Sequence, residues 1–197
     1  MDRPETFQKE SISVAFMVRQ LRETVGVEVT PVNDAVDASE RSVTESTLHR
    51  PGLALAGYVD LFTHQRVQIL GNTETRYLHQ LDAADRRNAF GHLTQFDVPC
   101  IVLTDENELD ASLVDRATDA GIPVYRTPLP TVQFMSSLRN FLADQFALQR
   151  AVHGSPDDVY GLGLLLIRKP GLRHSDAALD LVTRVHRRVR RRRADRH

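Results

Sequence analysis

Residues 100–146 read CIVLTDENELDASLVDRATDAGIPVYRTPLPTVQFMSSLRNFLADQF, and their pattern decides the fold class. Cys100 to Leu103 is a short apolar run bounded by Pro99 and the polar Thr104-Asp105, which predicts a buried strand. From Leu109 to Ala120 the apolar positions Leu113, Val114 and Ala117 share one helical face, and Gly121 stands where a helix-ending glycine belongs. Ile122 to Tyr125 is the next apolar run. The loop Thr127-Pro128-Leu129-Pro130-Thr131 then leads into a helix from about Thr131 to Phe146. On that helix Phe134, Leu138, Phe141 and Leu142 lie on one side. Strand, helix, strand, helix at this spacing implies parallel strands, because parallel neighbours need a crossover of a dozen or more residues.

Upstream of this stretch, residues 1–10 are polar and predicted to be a loose terminus. Val14, Met17, Val18 and Leu21 predict a helix capped by Ser11 or Ser13 and ended by Gly26. Val25 to Val29 reads as a short strand, and residues 33–46 as turns and strand edges. Arg50-Pro51-Gly52 is a turn. Leu53 to Phe62 is apolar enough to be buried. Val67 to Leu70 is a strand candidate closed by Gly71-Asn72. Thr73 and Asp82 are candidate starts of two further helices. The expectation is α/β: an N-terminal three-layer-like domain over residues 1–130 with a mainly parallel sheet, and a linking helix over 131–150.

Length and composition set outer bounds. The 197 residues are 41% hydrophobic and 26% charged with a net charge of −1, an ordinary globular balance. The average hides an arginine run from Arg184 to Arg196, whereas Lys9 and Lys169 are the only lysines. That run suits non-specific attraction to phosphates; with no interleaved aromatic residues and no recognition motif, specific nucleic-acid binding is not expected. The single cysteine, Cys100, excludes an internal disulfide and reads as a buried thiol. No apolar run reaches the roughly 18 residues of a membrane span, and no signal-like stretch opens the chain. The expected location is therefore cytoplasmic, with no membrane partner.

The last third of the chain carries the chemistry. An apolar strand is predicted from Val159 to Ile167, followed by a polar turn and a helix from Ser175. Strand, glycine-bearing turn and helix N-terminus form the frame of a phosphate-binding loop, in which backbone N–H groups and the helix dipole face an anion. The usual pattern is G-x-x-x-x-G-K-[ST]. Here its eight positions are Arg168, Lys169, Pro170, Gly171, Leu172, Arg173, His174 and Ser175. Both pattern glycines and the lysine are replaced. An ordinary strand-to-helix turn with surface cations fits the same residues.

These residues also resemble the HPr kinase/phosphorylase family. The resemblance runs through His153-Gly154, Asp158-Val159-Tyr160-Gly161-Leu162-Gly163, the loop, Ala178-Leu179-Asp180-Leu181-Val182 and Arg184-Val185-His186-Arg187. Upstream it takes in Arg50-Pro51-Gly52-Leu53, Ala56-Gly57-Tyr58, Gln68 to Glu74, Pro99 to Thr104, Ala120 to Val124 and Arg126-Thr127-Pro128-Leu129. It thus covers most of residues 11–192.

The resemblance implies ATP- or pyrophosphate-dependent phosphorylation of a serine on HPr, and its reversal, in carbon catabolite control. It implies ATP and Mg²⁺ as cofactors, HPr as partner and a homo-oligomer, hexameric in the family. By the same resemblance His153 is the active-site histidine, His174 holds the family's lysine position, Arg168 to Ser175 hold nucleotide, and Ser175 is the metal ligand. The family's acid–base aspartate falls in a segment that here reads Arg190-Arg191-Arg192. Arginine cannot accept a proton at neutral pH. The expectation is a truncated start of a kinase domain over residues 151–197, of strand–loop–helix type, and a catalytically impaired copy. A non-catalytic binding or oligomerisation module built on the N-terminal domain is the alternative.

Overall fold

The computed structural model describes residues 6–150, 154–159 and 162–167. In chain order the strands are β1 (Thr6–Phe7), β2 (Ile12–Ser13), β3 (Thr30–Pro31), β4 (Ser42–Val43), β5 (Leu48–His49), β6 (Val67–Leu70), β7 (Ile101–Leu103), β8 (Val124–Arg126), β9 (Gln149–Arg150), β10 (Gly154–Val159) and β11 (Leu162–Ile167). The helices are α1 (Val14–Gln20), α2 (Gly52–Leu55), α3 (Asn72–Gln80), α4 (Ala83–Thr94), α5 (Ala111–Asp119) and α6 (Thr131–Gln145). Two compact units result, Gln8–Ala147 and a second formed by the described residues on either side of it.

The first unit is built on a five-stranded sheet in the order β3-β8-β7-β6-β5. The four strands β5 to β8 run parallel, and β3 pairs antiparallel to β8 at one edge. The parallel strands are consecutive in sequence and in space, so every crossover steps the same way across the sheet. Crossovers of one hand then place their helices on one face.

That is what the side chains show. Leu70, Ile101, Leu103 and Val124 point to the face covered by α2 to α5, where they meet Leu55, Leu78, Phe90, Leu93 and Leu113. The alternate residues Val67, Ile69, Val102 and Tyr125 point the other way. No crossover helix serves that face. It is closed by α1, which comes before the sheet, and α6, which comes after it, through Met17, Val18, Phe134, Leu138 and Leu142. The three-layer α/β architecture expected from the sequence is present.

The position of α6 enlarges the unit. The sequence pattern ends the domain near residue 130 and makes 131–150 a link. Instead Phe134, Leu138, Phe141 and Leu142 are buried in the sheet-facing core, so the unit extends to Ala147.

Several local expectations change for identifiable reasons. Ser13 caps α1, accepting from the Phe16 N–H at 3.2 Å. Gly26, at φ +73°, ends the helix as expected, but the stretch before it, Leu21–Val25, is a π-helical turn. This consumes Val25, and the predicted strand over 25–29 is not formed. Val27 and Val29 are buried in non-strand backbone, the Val29 carbonyl accepts from Arg22 Nε, and the strand begins at Thr30. Leu53, Tyr58 and Leu61, expected to be buried, are exposed, while Ala54, Leu55 and Phe62 turn inward. The first helix of the 72–94 region is capped at Gly71 rather than Thr73; Asp82 caps the second, accepting from the Ala84 and Asp85 N–H groups at 2.9 Å.

At the opposite end of the sheet from the crossover entries, Arg41 ties the unit together. Its guanidinium donates to the Gly121 and Ala120 carbonyls at 2.8 and 2.9 Å and pairs with Asp97. It thereby holds the turn that follows α5, where Gly121 takes φ +63°.

In the second unit β1 pairs antiparallel with β9, so Thr6–Phe7 is not loose. The expected single strand Val159–Ile167 is two strands: β10 pairs antiparallel with β11, with Val159 opposite Leu162 and Gly154 opposite Ile167. Gly161 interrupts the apolar run in sequence.

Residues 8–147 should fold alone. A fragment of these residues is expected to unfold in one cooperative thermal transition, and Phe134→Ala should lower its stability by about 3–5 kcal/mol. A fragment ending at residue 130 should show no such transition.

On the α2–α5 side, His49 lies against Phe62 with ring centroids 5.5 Å apart. Burial, and secondarily the Arg66 guanidinium, holds its pKa below the usual 6.5. The unfolded chain therefore binds the proton more readily than the folded one. The stability due to neutral His49 is complete above pH 6.5 and is lost as pH falls through the folded-state value. His49→Phe should flatten the acid side of a plot of stability against pH, as read by urea unfolding at a series of pH values.

Candidate functional site

Parallel strands bring their carboxyl ends to one rim, the usual location of ligands in open α/β sheets. In this chain the rim collects Arg50 after β5, Gly71 to Thr75 after β6, Thr104 to Asn107 after β7, and Thr127 to Thr131 after β8. Four stretches far apart in sequence thus converge because their strands are neighbours.

Their polar groups form a continuous lattice. Glu74 is buried, and its Oε2 accepts from Arg50 at 2.7 Å and from the Gly71 N–H at 3.0 Å. The second contact answers an N–H at the start of α3 and places a carboxylate at a helix N-terminus, where the dipole favours it. Thr75 Oγ1 lies 2.9 Å from both the Gly71 carbonyl and Asn107 Oδ1. Asn107 Nδ2 donates to the Thr104 carbonyl at 2.6 Å and to Asn72 Oδ1 at 3.0 Å. The Thr104 and Thr131 hydroxyls are 2.6 Å apart.

Asp105 supplies the link to α6. Its Oδ2 accepts from the Thr131 N–H at 3.2 Å and hydroxyl at 2.8 Å, capping a helix whose preceding residue, Pro130, has no capping side chain. To reach this position Asp105 takes φ +58°, and Glu106 follows at φ +56°. Asp tolerates the left-handed region; Glu enters it rarely. The Asp105 and Glu106 N–H groups are held by the Leu129 and Thr127 carbonyls at 2.9 and 3.3 Å, so the β7 and β8 loops fix each other.

Gly71 sits at the closest approach. A Cβ there would overlap the Thr131 hydroxyl and come within 3.4 Å of Thr104 Oγ1. Glycine is required at this position for space rather than for φ, since the backbone is extended.

The chemistry available at this rim is binding and positioning. Its hydroxyls and carboxylates are largely spent on one another, and no nucleophile is paired with a free base. Among the described residues no cluster of His, Cys, Asp or Glu would hold a metal, and no helix is long and apolar enough to cross a membrane. Burial pushes the Cys100 thiol up to about 12, which makes it a core residue and not a nucleophile. Beside the rim a cavity of about 280 Å³ opens between Pro31, Val32, Leu103 and Leu109, flanked by the Arg126–Glu108 pair.

The residues singled out for catalysis and nucleotide, His153 and Arg168, Lys169, Pro170, Gly171, Leu172, Arg173, His174 and Ser175, lie outside the described residues, as does the arginine run. The motif residues of the first unit fare differently. Arg50, Gly71, Glu74 and Thr104 are drawn into one lattice. Asn107, Asp105 and Thr131 complete it but carry no short-range signal, because their role depends on which strands become neighbours.

Fold and rim together define a three-layer α/β domain. A family model described as "HPr Serine kinase N terminus" matches residues 14–142, nearly the whole of that domain. The chain is 43% identical over 187 residues to an HPr kinase/phosphorylase from Chloroherpeton thalassium, covering 95% of this chain and 55% of that protein. It is 48% identical over 179 residues to one from Chlorobium limicola and 49% identical over 179 residues to one from Chlorobium luteolum, covering 91% of this chain and 54% of each. The chain belongs to the HPr kinase/phosphorylase family. It spans about half the length of the curated relatives it matches.

Among solved structures, the CBS and DRTGG domains of the regulatory region of Clostridium perfringens pyrophosphatase, crystallised with diadenosine tetraphosphate, align over 73% of this chain and 56% of that one. The TM-score is 0.46 and the identity 13%.

The close packing at Gly71 predicts a specific coupling. Gly71→Ala should cost about 1–3 kcal/mol. Combining it with Thr131→Ala should recover part of that loss, because the overlapping hydroxyl is gone. Urea unfolding of the two single variants and the double variant tests this; strictly additive costs would show that the two residues do not compete for space.

Proposed function

We propose that this chain serves the serine phosphorylation control of HPr for which its relatives are named, through its N-terminal domain and without transferring phosphoryl groups itself. Family membership across residues 14–142 supports the first half of this reading. The donor set of the phosphate-binding frame supports the second. A nucleotide loop needs glycines so that backbone N–H groups can close on phosphate, and a lysine for the developing charge. In this chain Arg168 and Arg173 stand at the two glycine positions, Pro170 removes an N–H, and His174 stands at the lysine position. ATP and Mg²⁺ therefore do not fit these residues as they fit the family's pattern, although Ser175 is retained for the metal. At the segment expected to carry the acid–base aspartate, Arg190-Arg191-Arg192 cannot take a proton from a serine or a water.

The alternative reading, a non-catalytic binding or oligomerisation module, is favoured by a particular feature of the first unit. Leu53, Tyr58 and Leu61 are 71%, 50% and 76% exposed and lie within ten residues of one another in sequence. Sedimentation of the chain and of a Leu53→Ser/Leu61→Ser variant distinguishes the two. A module that assembles through this patch loses mass on substitution.

Calorimetric titration with Mg-ATP should give no saturable heat up to about millimolar nucleotide, where a working site would bind far more tightly. Incubation with HPr and radiolabelled ATP should leave HPr unlabelled. His174→Lys alone should restore neither property, because Arg168, Arg173 and Arg192 still depart from the pattern. A micromolar dissociation constant, or labelled HPr, would overturn this reading.

A further inference from the structure

The first unit also has an open cavity of about 340 Å³ on the α1 side of the sheet, away from the rim. It lies between α1, its π-helical continuation, the loop after β3, and the start of β8. Its volume falls within the range of roughly 300–1,000 Å³ typical of small-molecule sites.

Floor and rim differ in chemistry. Val18, Val36, Ala38, Pro31 and the Tyr125 ring supply an apolar floor. Around it stand four charged side chains, Arg19, Arg22, Glu23 and Asp34, all on exposed residues. Two are cationic and two anionic, yet none of the ion pairs among the described residues joins any of them. Among the described residues both signs of charge are therefore free to engage an occupant.

Tyr125 is a second, independent observation. The residue is 7% exposed and lines the cavity; among the described residues its hydroxyl has no protein hydrogen-bond partner and reaches solvent. A hydroxyl that no protein group engages and that reaches solvent can donate to an occupant in place of water. Burial chiefly, with Cys100 next, raises this hydroxyl to about 12, so it stays protonated; Arg22 opposes the shift and Asp34 adds to it, as expected if both charges lie near the hydroxyl.

The wall has unusual backbone as well. Arg22 and Glu23 belong to the π-helical turn Leu21–Val25, and such turns occur disproportionately at functional sites. The turn is pinned by Arg22 Nε on the Val29 carbonyl, which leaves the terminal guanidinium nitrogens available at the cavity mouth.

We propose that this cavity binds a small amphipathic zwitterion, of the class of a free α-amino acid with an apolar side chain. The carboxylate lies on the Arg22 guanidinium, which can hold it through two parallel N–H donors. The ammonium faces Asp34, with Glu23 close by, and the apolar side chain covers the Val18, Val36 and Tyr125 floor. The Tyr125 hydroxyl donates to the ligand carboxylate. A dianionic phosphate compound fits less well, because the two rim carboxylates would repel it.

The test is calorimetric titration of the full chain with L-leucine and L-phenylalanine, alongside leucinamide and N-acetyl-leucine, which each lack one of the two charges. Saturable binding near or below about 1 mM is expected for the free amino acids, with at least a tenfold loss for either blocked form. Arg22→Gln and Asp34→Asn should each weaken leucine binding about tenfold; Arg22→Gln also removes the Nε contact to the Val29 carbonyl, so melting curves accompany both variants and Asp34→Asn, on an exposed residue outside that contact, decides if the turn is disturbed. Tyr125→Phe should weaken it as well; if that variant does not fold, the two exposed variants decide. Absence of saturable binding at ~20 mM for every apolar L-amino acid would overturn the proposal. So would equal binding of the blocked analogues, or leucine binding unchanged in Arg22→Gln and Asp34→Asn.

Discussion

Parallel pairing of four strands that are consecutive in sequence is the constraint on which the first unit depends. Each step from β5 to β8 must be made by a crossover, and crossovers of one hand stepping one way stack their helices on a single face. The opposite face, with Val67, Ile69, Val102 and Tyr125, would then meet water. Only elements outside the run of crossovers can cover it, and α1 and α6 do so. The unit consequently needs residues from both ends, which is why it extends over Gln8–Ala147 and not merely over the alternating segment.

The same constraint builds the rim. Because the strands are parallel, Arg50, Gly71, Thr104 and Thr131 emerge at one end, close enough for Glu74, Asp105 and Asn107 to lock their loops together. The lattice couples the two faces: Glu74 lies in α3 on one side, and Asp105 caps α6 on the other. Gly71 allows that approach by having no side chain where the Thr131 hydroxyl sits. Membership of the HPr kinase/phosphorylase family attaches to this unit above all, since the family model matches 14–142.

Strong local signals made much of this legible. The 100–146 stretch alternates apolar runs with helical periodicity, and β7, α5, β8 and α6 form within a residue or two of where that pattern puts them. Gly121 takes the left-handed conformation its position implied. Other elements had no such signal. β3 and β5 are two residues long, too short for any period, and exist because β8 and β6 offer them partners. The π-helical turn absorbed Val25, which by propensity suits a strand. The paired strands β10 and β11 looked like one strand because their apolar residues are nearly continuous with Val159. At the rim, Arg50 and Glu74 were visible within motifs, while Asp105, Asn107 and Thr131 owe their roles to tertiary neighbours. Tyr125 read only as a strand residue; its place in a cavity wall becomes visible once residues of α1 and β8 line that cavity together.

The claim that α6 is part of one cooperative unit with the sheet can be tested by native-state hydrogen exchange on the full chain. If α6 closes the second face, amides of β6, β7 and the Phe134–Leu142 turns of α6 exchange through a common opening, with the same free energy and the same dependence on added urea. If α6 is a separate linking helix, its amides exchange through a distinct opening of much lower free energy while β6 and β7 remain protected, and closure of the second face by α6 is contradicted.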